Sequence, residues 1–178
     1  MQDDFAMKMK RTVGFDGLIS TLIGAFIVFW PGASVKLLAS IIGVALLILG
    51  GVKLLFALNG SETKKSTKLY DVLVAILYLV AGLFVFIDME AASFSLLLVV
   101  GVLTGITWLV EGIIQIVVVN RLGGNHVWHF ISALISALAG MSLIFSPFVG
   151  GLLVWMFLGV MLLIVGIFKL VHYFTIGK

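Results

Sequence analysis

Six long apolar stretches, separated by short polar breaks, leave this chain few folds to choose from. They run approximately over residues 12–30, 36–58, 69–87, 93–118, 127–146 and 150–174. A bilayer core about 30 Å thick is crossed by roughly 20 apolar residues in helix, and each stretch has about that length. The breaks are Pro31-Gly32-Ala33-Ser34, Asn59 to Lys68, Asp88-Met89-Glu90, Asn120 to Asn125 and Ser146-Pro147. The runs are continuous rather than alternating, which favours helices, with every backbone group satisfied internally, over a β-barrel. Residues are 62% hydrophobic and only 11% charged, against about 25% charged in a soluble domain, so lipid is the solvent that fits. The expected fold is all-α: a polytopic membrane protein of six transmembrane helices in a single membrane domain, residues 1–178.

The connections at Pro31 and Pro147 are so short that their flanking helices must be antiparallel neighbours, and proline suits a turn because it lacks the backbone donor and restricts the residue before it. The hairpin is therefore the structural unit. Lysine and arginine collect in the N-terminal tail (Lys8, Lys10, Arg11), the second connection (Lys64, Lys65, Lys68), the fourth (Arg121) and the C-terminus (Lys178). The other three connections carry only Lys36, against Asp88 and Glu90. Positively charged loops stay cytoplasmic, so both termini are expected inside. The apolar stretches continue to the end, unlike a signal peptide followed by a polar mature protein, and the whole chain is expected to be retained. The net charge of +3 is spread over the connections as a topology signal, not a phosphate-binding face, and no nucleic-acid partner is expected. Cysteine is absent, which excludes thiol catalysis, disulfides and thiolate metal sites.

A repeat of 58 residues runs through the chain without a gap. Gly24, Gly82 and Gly140 are 58 residues apart, and so are Gly43, Gly101 and Gly159. Pro31 and Pro147 differ by 116, with Met89 between them, and Gly50 and Gly166 differ by 116, with Trp108 between them. The three repeats, approximately 12–60, 69–118 and 127–176, are three helical hairpins, and parallel repeats of this kind pack most simply about a pseudo-threefold axis normal to the membrane. Helices in lipid associate through close backbone approach at small residues. The glycines Gly24, Gly43, Gly50, Gly82, Gly101, Gly140, Gly159 and Gly166 are accordingly read as packing seams, and Pro31 and Pro147 as turns.

A glycine in the first helix, a Trp-Pro or Ser-Pro turn, and a second helix reading Gly-x6-Gly with a charged residue soon after make up the pattern. It is carried by Gly24, Trp30-Pro31-Gly32, Gly43, Gly50 and Lys53, echoed at Gly140, Pro147, Gly159, Gly166 and Lys169. Over essentially the whole chain it resembles the HdeD-like acid-resistance membrane proteins. That resemblance implies a bacterial inner-membrane location and a part in acid or general stress tolerance, with no catalytic residue to carry over. The middle repeat departs from the pattern at Asp88-Met89 and at Trp108.

The candidate functional charges are Lys53, Glu111 and Lys169, which share one repeat position, 58 residues apart. An ionisable group within a transmembrane helix is costly and usually has a partner or a polar pathway. Glu111 between two lysines would form a charged cluster near the cytoplasmic face; the alternative is lysines that snorkel to the headgroups. Asp16 and Asp71 are read first as carboxylates favoured by helix N-termini, with contact to Lys53 or Lys169 as the alternative. His126, His129 and His172 read as interfacial residues, without the carboxylates a metal site would need, and Asp88 and Glu90 as solvated loop charges. Thr104, Trp108, Glu111 and Gln115 fall on one face of the fourth helix.

Neither a nucleotide-binding glycine loop after a strand, nor a His-Glu-x-x-His motif, nor a nucleophile motif is present, so no enzyme, cofactor or metal is expected. Two functions compete. The first is a non-enzymatic stress-tolerance protein whose partners are the lipid bilayer and either a second copy or another membrane protein. The second is a small channel or transporter gated by Lys53, Glu111 and Lys169.

Overall fold

The computed structural model describes residues 2–59, 65–122 and 127–175, all in helix except Trp30, Asp88 and Ser146. The elements are α1 (Gln2–Phe29), α2 (Pro31–Asn59), α3 (Lys65–Ile87), α4 (Met89–Leu122), α5 (Val127–Phe145) and α6 (Pro147–Thr175). Each contains a span of 19 to 31 residues that is long and apolar enough to cross a bilayer. The sizes of the side chains are inverted relative to a soluble fold. Ala75 and Ala133 are fully buried, while Phe56, Leu77 and Phe168 are 75%, 65% and 71% exposed. Among the described residues no large side chain is fully buried. Large apolar groups outside and small ones inside is the arrangement lipid requires, because helices there gain by close contact rather than by hiding apolar surface. This is a multi-pass membrane protein.

The breaks between α1 and α2, α3 and α4, and α5 and α6 are each a single residue, Trp30, Asp88 and Ser146, at 58-residue intervals. Their amides still donate to the carbonyl four residues back: Trp30 to Phe26 (2.9 Å), Asp88 to Phe84 (3.0 Å) and Ser146 to Ser142 (3.0 Å). Pro31 and Pro147 occupy the first helical position of α2 and α6, where a missing N–H has no intrahelical partner to lose. The middle break reaches the same end by different chemistry. Met89 replaces the proline, and the Asp88 carboxylate accepts the Ala91 amide at 2.9 Å, the side-chain cap of a helix N-terminus. Asp88 is thus a cap and not merely a solvated charge. Glu90 likewise has a defined place, accepting from the Lys36 ammonium at 2.9 Å.

The chain divides into two compact units, residues Gly32–Leu96 and residues Met1–Pro31 with Leu97–Lys178. In the first, α2 packs on α3. A methyl group built on Gly82 would stand 2.9 Å from the Gly43 carbonyl oxygen, and one on Gly50 would stand 3.0 Å from that of Ala75. Near the start of α2, Ala39 packs with Val85 and with Ala92 of α4.

In the second unit, α6 packs along α1 in the same register. A methyl on Gly24 would lie 2.7 Å from the Gly159 carbonyl, and one on Gly166 would lie 2.9 Å from that of Gly17. Gly17, Ala75 and Ala133 are repeat equivalents, as are Gly24, Gly82 and Gly140. The even helix of one repeat thus meets the odd helix of another, residue for equivalent residue, in both units.

The third seam, α4 on α5, uses the same face of α5 but a different set of α4 residues. Gly140 faces the carbonyl of Gly105 (2.6 Å from a built methyl), and Gly112 faces that of Ala133 (2.8 Å). A methyl on Gly105 meets Leu143 and Ile144, the equivalents of Val85 and Phe86 that crowd Gly43. Gly105 and Gly112 therefore do what Gly43 and Gly50 do, four residues later than the 58-residue count places them. At about 1.5 Å per residue that is a displacement of about 6 Å along the helix. Gly101, expected in this seam, instead lies against Pro147 and Gly151 at the start of α6. Trp108, at the count position of Gly50 and Gly166, is 41% exposed and clear of the seam.

Candidate functional site

Two of the candidate functional charges, Lys53 and Lys169, lie at the ends of these seams. Lys53 is three residues beyond Gly50 and Lys169 three beyond Gly166, so each lysine leaves the seam on the side of the neighbouring odd helix. The Lys53 ammonium donates to Asp71 of α3 at 2.8 Å, and the Lys169 ammonium donates to Asp16 of α1. The Lys53–Asp71 pair is part-buried, with side-chain exposures of 36% and 30%, and the Lys169–Asp16 pair is exposed, at 37% and 55%.

The reading of Asp16 and Asp71 as helix-terminal carboxylates is therefore corrected. α1 runs back to Gln2 and α3 to Lys65, which places both aspartates inside their helices rather than in the first turn. The polar residues before each apolar stretch are themselves competent helix formers, so the helices begin earlier than hydropathy indicates. The two aspartates are not repeat equivalents, yet each finds a lysine that is, because carboxylates one turn apart on the same helix face reach the same ammonium.

Glu111 shares the sequence count of Lys53 and Lys169 but not their place in the packing. With α4 displaced by four residues, Gln115, three beyond Gly112, stands where the lysines stand. Glu111 lies a turn deeper, exposed on the helix surface, and accepts a hydrogen bond from the Gln115 amide at 3.2 Å. The Thr107 hydroxyl donates to the Leu103 carbonyl on its own helix at 2.9 Å. The structure thus brings Lys53 to Asp71 and Lys169 to Asp16, while Glu111 pairs with Gln115. The seven-residue spacing of Gly105 and Gly112 was the signal for this shift. It matches Gly43 to Gly50 and Gly159 to Gly166, whereas Gly101 has no glycine seven residues on.

Among the described residues no group of three or more His, Asp or Glu is placed to hold a metal ion. The Ser132 hydroxyl donates to the His129 carbonyl at 2.9 Å, and His172 lies in the last turn of α6. His126 lies outside the described residues.

The repeat seen in the packing has a counterpart among known families. The family model described as a short repeat of unknown function (DUF308) matches residues 15–87, 91–145 and 138–178. The chain belongs to this family. Three successive matches along one chain agree with a repeated membrane unit, and they cover nearly all of the helical sequence. No curated protein and no solved structure matches it.

Proposed function

We propose that this protein is a non-enzymatic component of the bacterial inner membrane that contributes to acid or general stress tolerance through its packed helices, with both termini in the cytoplasm. The observation that carries the reading is the local neutralisation of intramembrane charge. Lys53 and Lys169 each end a glycine seam in a carboxylate from the neighbouring helix. A lysine held by a dedicated carboxylate is suited to locking two helices together, since breaking the pair leaves a charge where charge is expensive. The likeness of Gly24, Trp30-Pro31, Gly43, Gly50 and Lys53, and of their echoes, to HdeD-like proteins supplies the stress-tolerance part of the proposal.

The three hairpins are proposed to close about a pseudo-threefold axis. Support comes from the last helix, α6, packing along the first, α1, which an open row of repeats would keep apart. The bilayer is the expected partner, together with a second copy or another membrane protein, and no nucleic acid.

A channel or transporter is the second reading, and α4 is the element that favours it. Glu111, Gln115 and Thr104 give that helix polarity at several depths. The two readings part in liposomes. Wild-type protein and Glu111→Gln are compared for proton and ion flux at neutral and acidic outside pH, alongside survival of cells lacking the protein after an acid challenge. Flux no greater than in empty liposomes, with survival restored equally by wild type and Glu111→Gln, is the expected result. Flux that disappears in Glu111→Gln overturns the proposal in favour of a pathway.

A further inference from the structure

Between α2 and α3, at the lysine-bearing end of the unit Gly32–Leu96, lies a cavity of about 550 Å³. Its polar lining is Lys53, Lys68, Asp71 and Tyr78, and its apolar wall includes Leu49, Val52 and Phe56. Two ammonium groups against one carboxylate leave the cavity with a net charge of plus one. Lys53 is already engaged by Asp71 at 2.8 Å. Among the described residues, Lys68 donates to the carbonyl of Leu58 at 3.5 Å, at the limit of a hydrogen bond, and an ammonium has three donors to direct. Lys68 and Tyr78 are ten residues apart on α3, which is about 15 Å along the helix axis. The cavity is therefore elongated along α3, cationic toward the start of the helix and lined mainly by apolar side chains farther along it.

The repeat explains why space exists here. Ala57, which lines the cavity, has Tyr173 as its repeat equivalent. In the α6–α1 seam the ring of Tyr173 lies directly against Gly14, so the corresponding volume is filled by protein. In the α2–α3 seam alanine leaves it open beside two lysines.

We propose that this cavity binds the phosphate headgroup of an anionic phospholipid, which Lys68 and the outer face of the Lys53–Asp71 pair hold while the upper part of an acyl chain lies against Leu49, Val52 and Phe56. The chemistry is that of a phosphate with an apolar continuation. A zwitterionic lipid of the same chain length carries a compensating ammonium that the lysines repel, and inorganic phosphate lacks the group that fills the apolar wall.

The test uses the full chain purified in detergent and native mass spectrometry with phosphatidylglycerol, phosphatidylcholine or inorganic phosphate as probe. The expected result is selective retention of phosphatidylglycerol. Lys68→Gln is expected to weaken it about fivefold, the worth of one lysine against an anionic headgroup, and Ala57→Tyr to abolish it by filling the cavity as Tyr173 does. Lys68→Gln changes only a helix-end side chain, so it stands as a test even where Ala57→Tyr fails to fold. Equal retention of the two lipids, or unchanged phosphatidylglycerol retention in Lys68→Gln, overturns the proposal. Displacement of the lipid by inorganic phosphate alone overturns the assignment to a lipid.

Discussion

Replacing Gly112 with alanine tests the displaced register of α4 directly. The added methyl would lie 2.6 Å from the Ala137 amide nitrogen and 2.8 Å from the Ala133 carbonyl oxygen. Both are backbone atoms, so no rotamer change relieves the overlap and the helices must part by several tenths of an ångström. Overpacking of this kind costs about 1–3 kcal/mol, and the better helix propensity of alanine returns about 1 kcal/mol. The net expectation is a loss of about 0–2 kcal/mol. Gly51→Ala is the matched control, because nothing lies within 4 Å of its built methyl. It keeps the propensity gain without the clash and is expected to be neutral or stabilising. Its neighbour Gly50, whose methyl would stand 2.9 Å from Leu79 and 3.0 Å from the Ala75 carbonyl, is expected to behave like Gly112. Reversible denaturation in mixed micelles, followed by tryptophan fluorescence and circular dichroism, measures the three variants on one scale. If Gly112→Ala is as stable as Gly51→Ala, the α4–α5 seam does not run through Gly112 and the argument for the shift fails.

Two further outcomes follow from the same geometry. The double exchange Lys53→Asp with Asp71→Lys is expected to recover most of the melting temperature lost by either single change, because the pair is local to α2 and α3; no recovery in thermal melts would show that the lysine is held by something else. Asp88→Ala is expected to cost about 1 kcal/mol through loss of the α4 cap, while Asp88→Ser keeps most of that stability, a difference the micelle assay resolves.

The breaks at Trp30, Asp88 and Ser146 were legible as turns but longer than they are. Pro31 and Pro147 announce a helix start, yet their own position as first helical residues hides how little chain the turn consumes. The role of Asp88 was harder to see, since a carboxylate between two apolar stretches is usually solvated. Only the Ala91 amide within reach makes it a cap. The partners of Lys53 and Lys169 were open for a similar reason. Asp16 and Asp71 sit at different repeat positions, so counting could not pair them with equivalent lysines.

What the sequence determines alone is set by local physics. Six stretches of helix-length apolarity can only be satisfied as spans, and 58-residue recurrence of glycine and proline specifies three copies of one unit. Which glycines touch is decided by the tertiary structure. Sliding a helix by four residues moves it about 6 Å along its axis and rotates it only about 40° beyond a full turn, so Gly101 with Trp108 and Gly105 with Gly112 present almost the same face. The 58-residue count alone does not choose between two registers that differ so little in direction, although the seven-residue spacing of Gly105 and Gly112 marks the second. Packing decides, because where Gly105 and Gly112 of α4 meet α5 even an added methyl would stand within 3.0 Å of its neighbours, and Trp108 would have had to stand there.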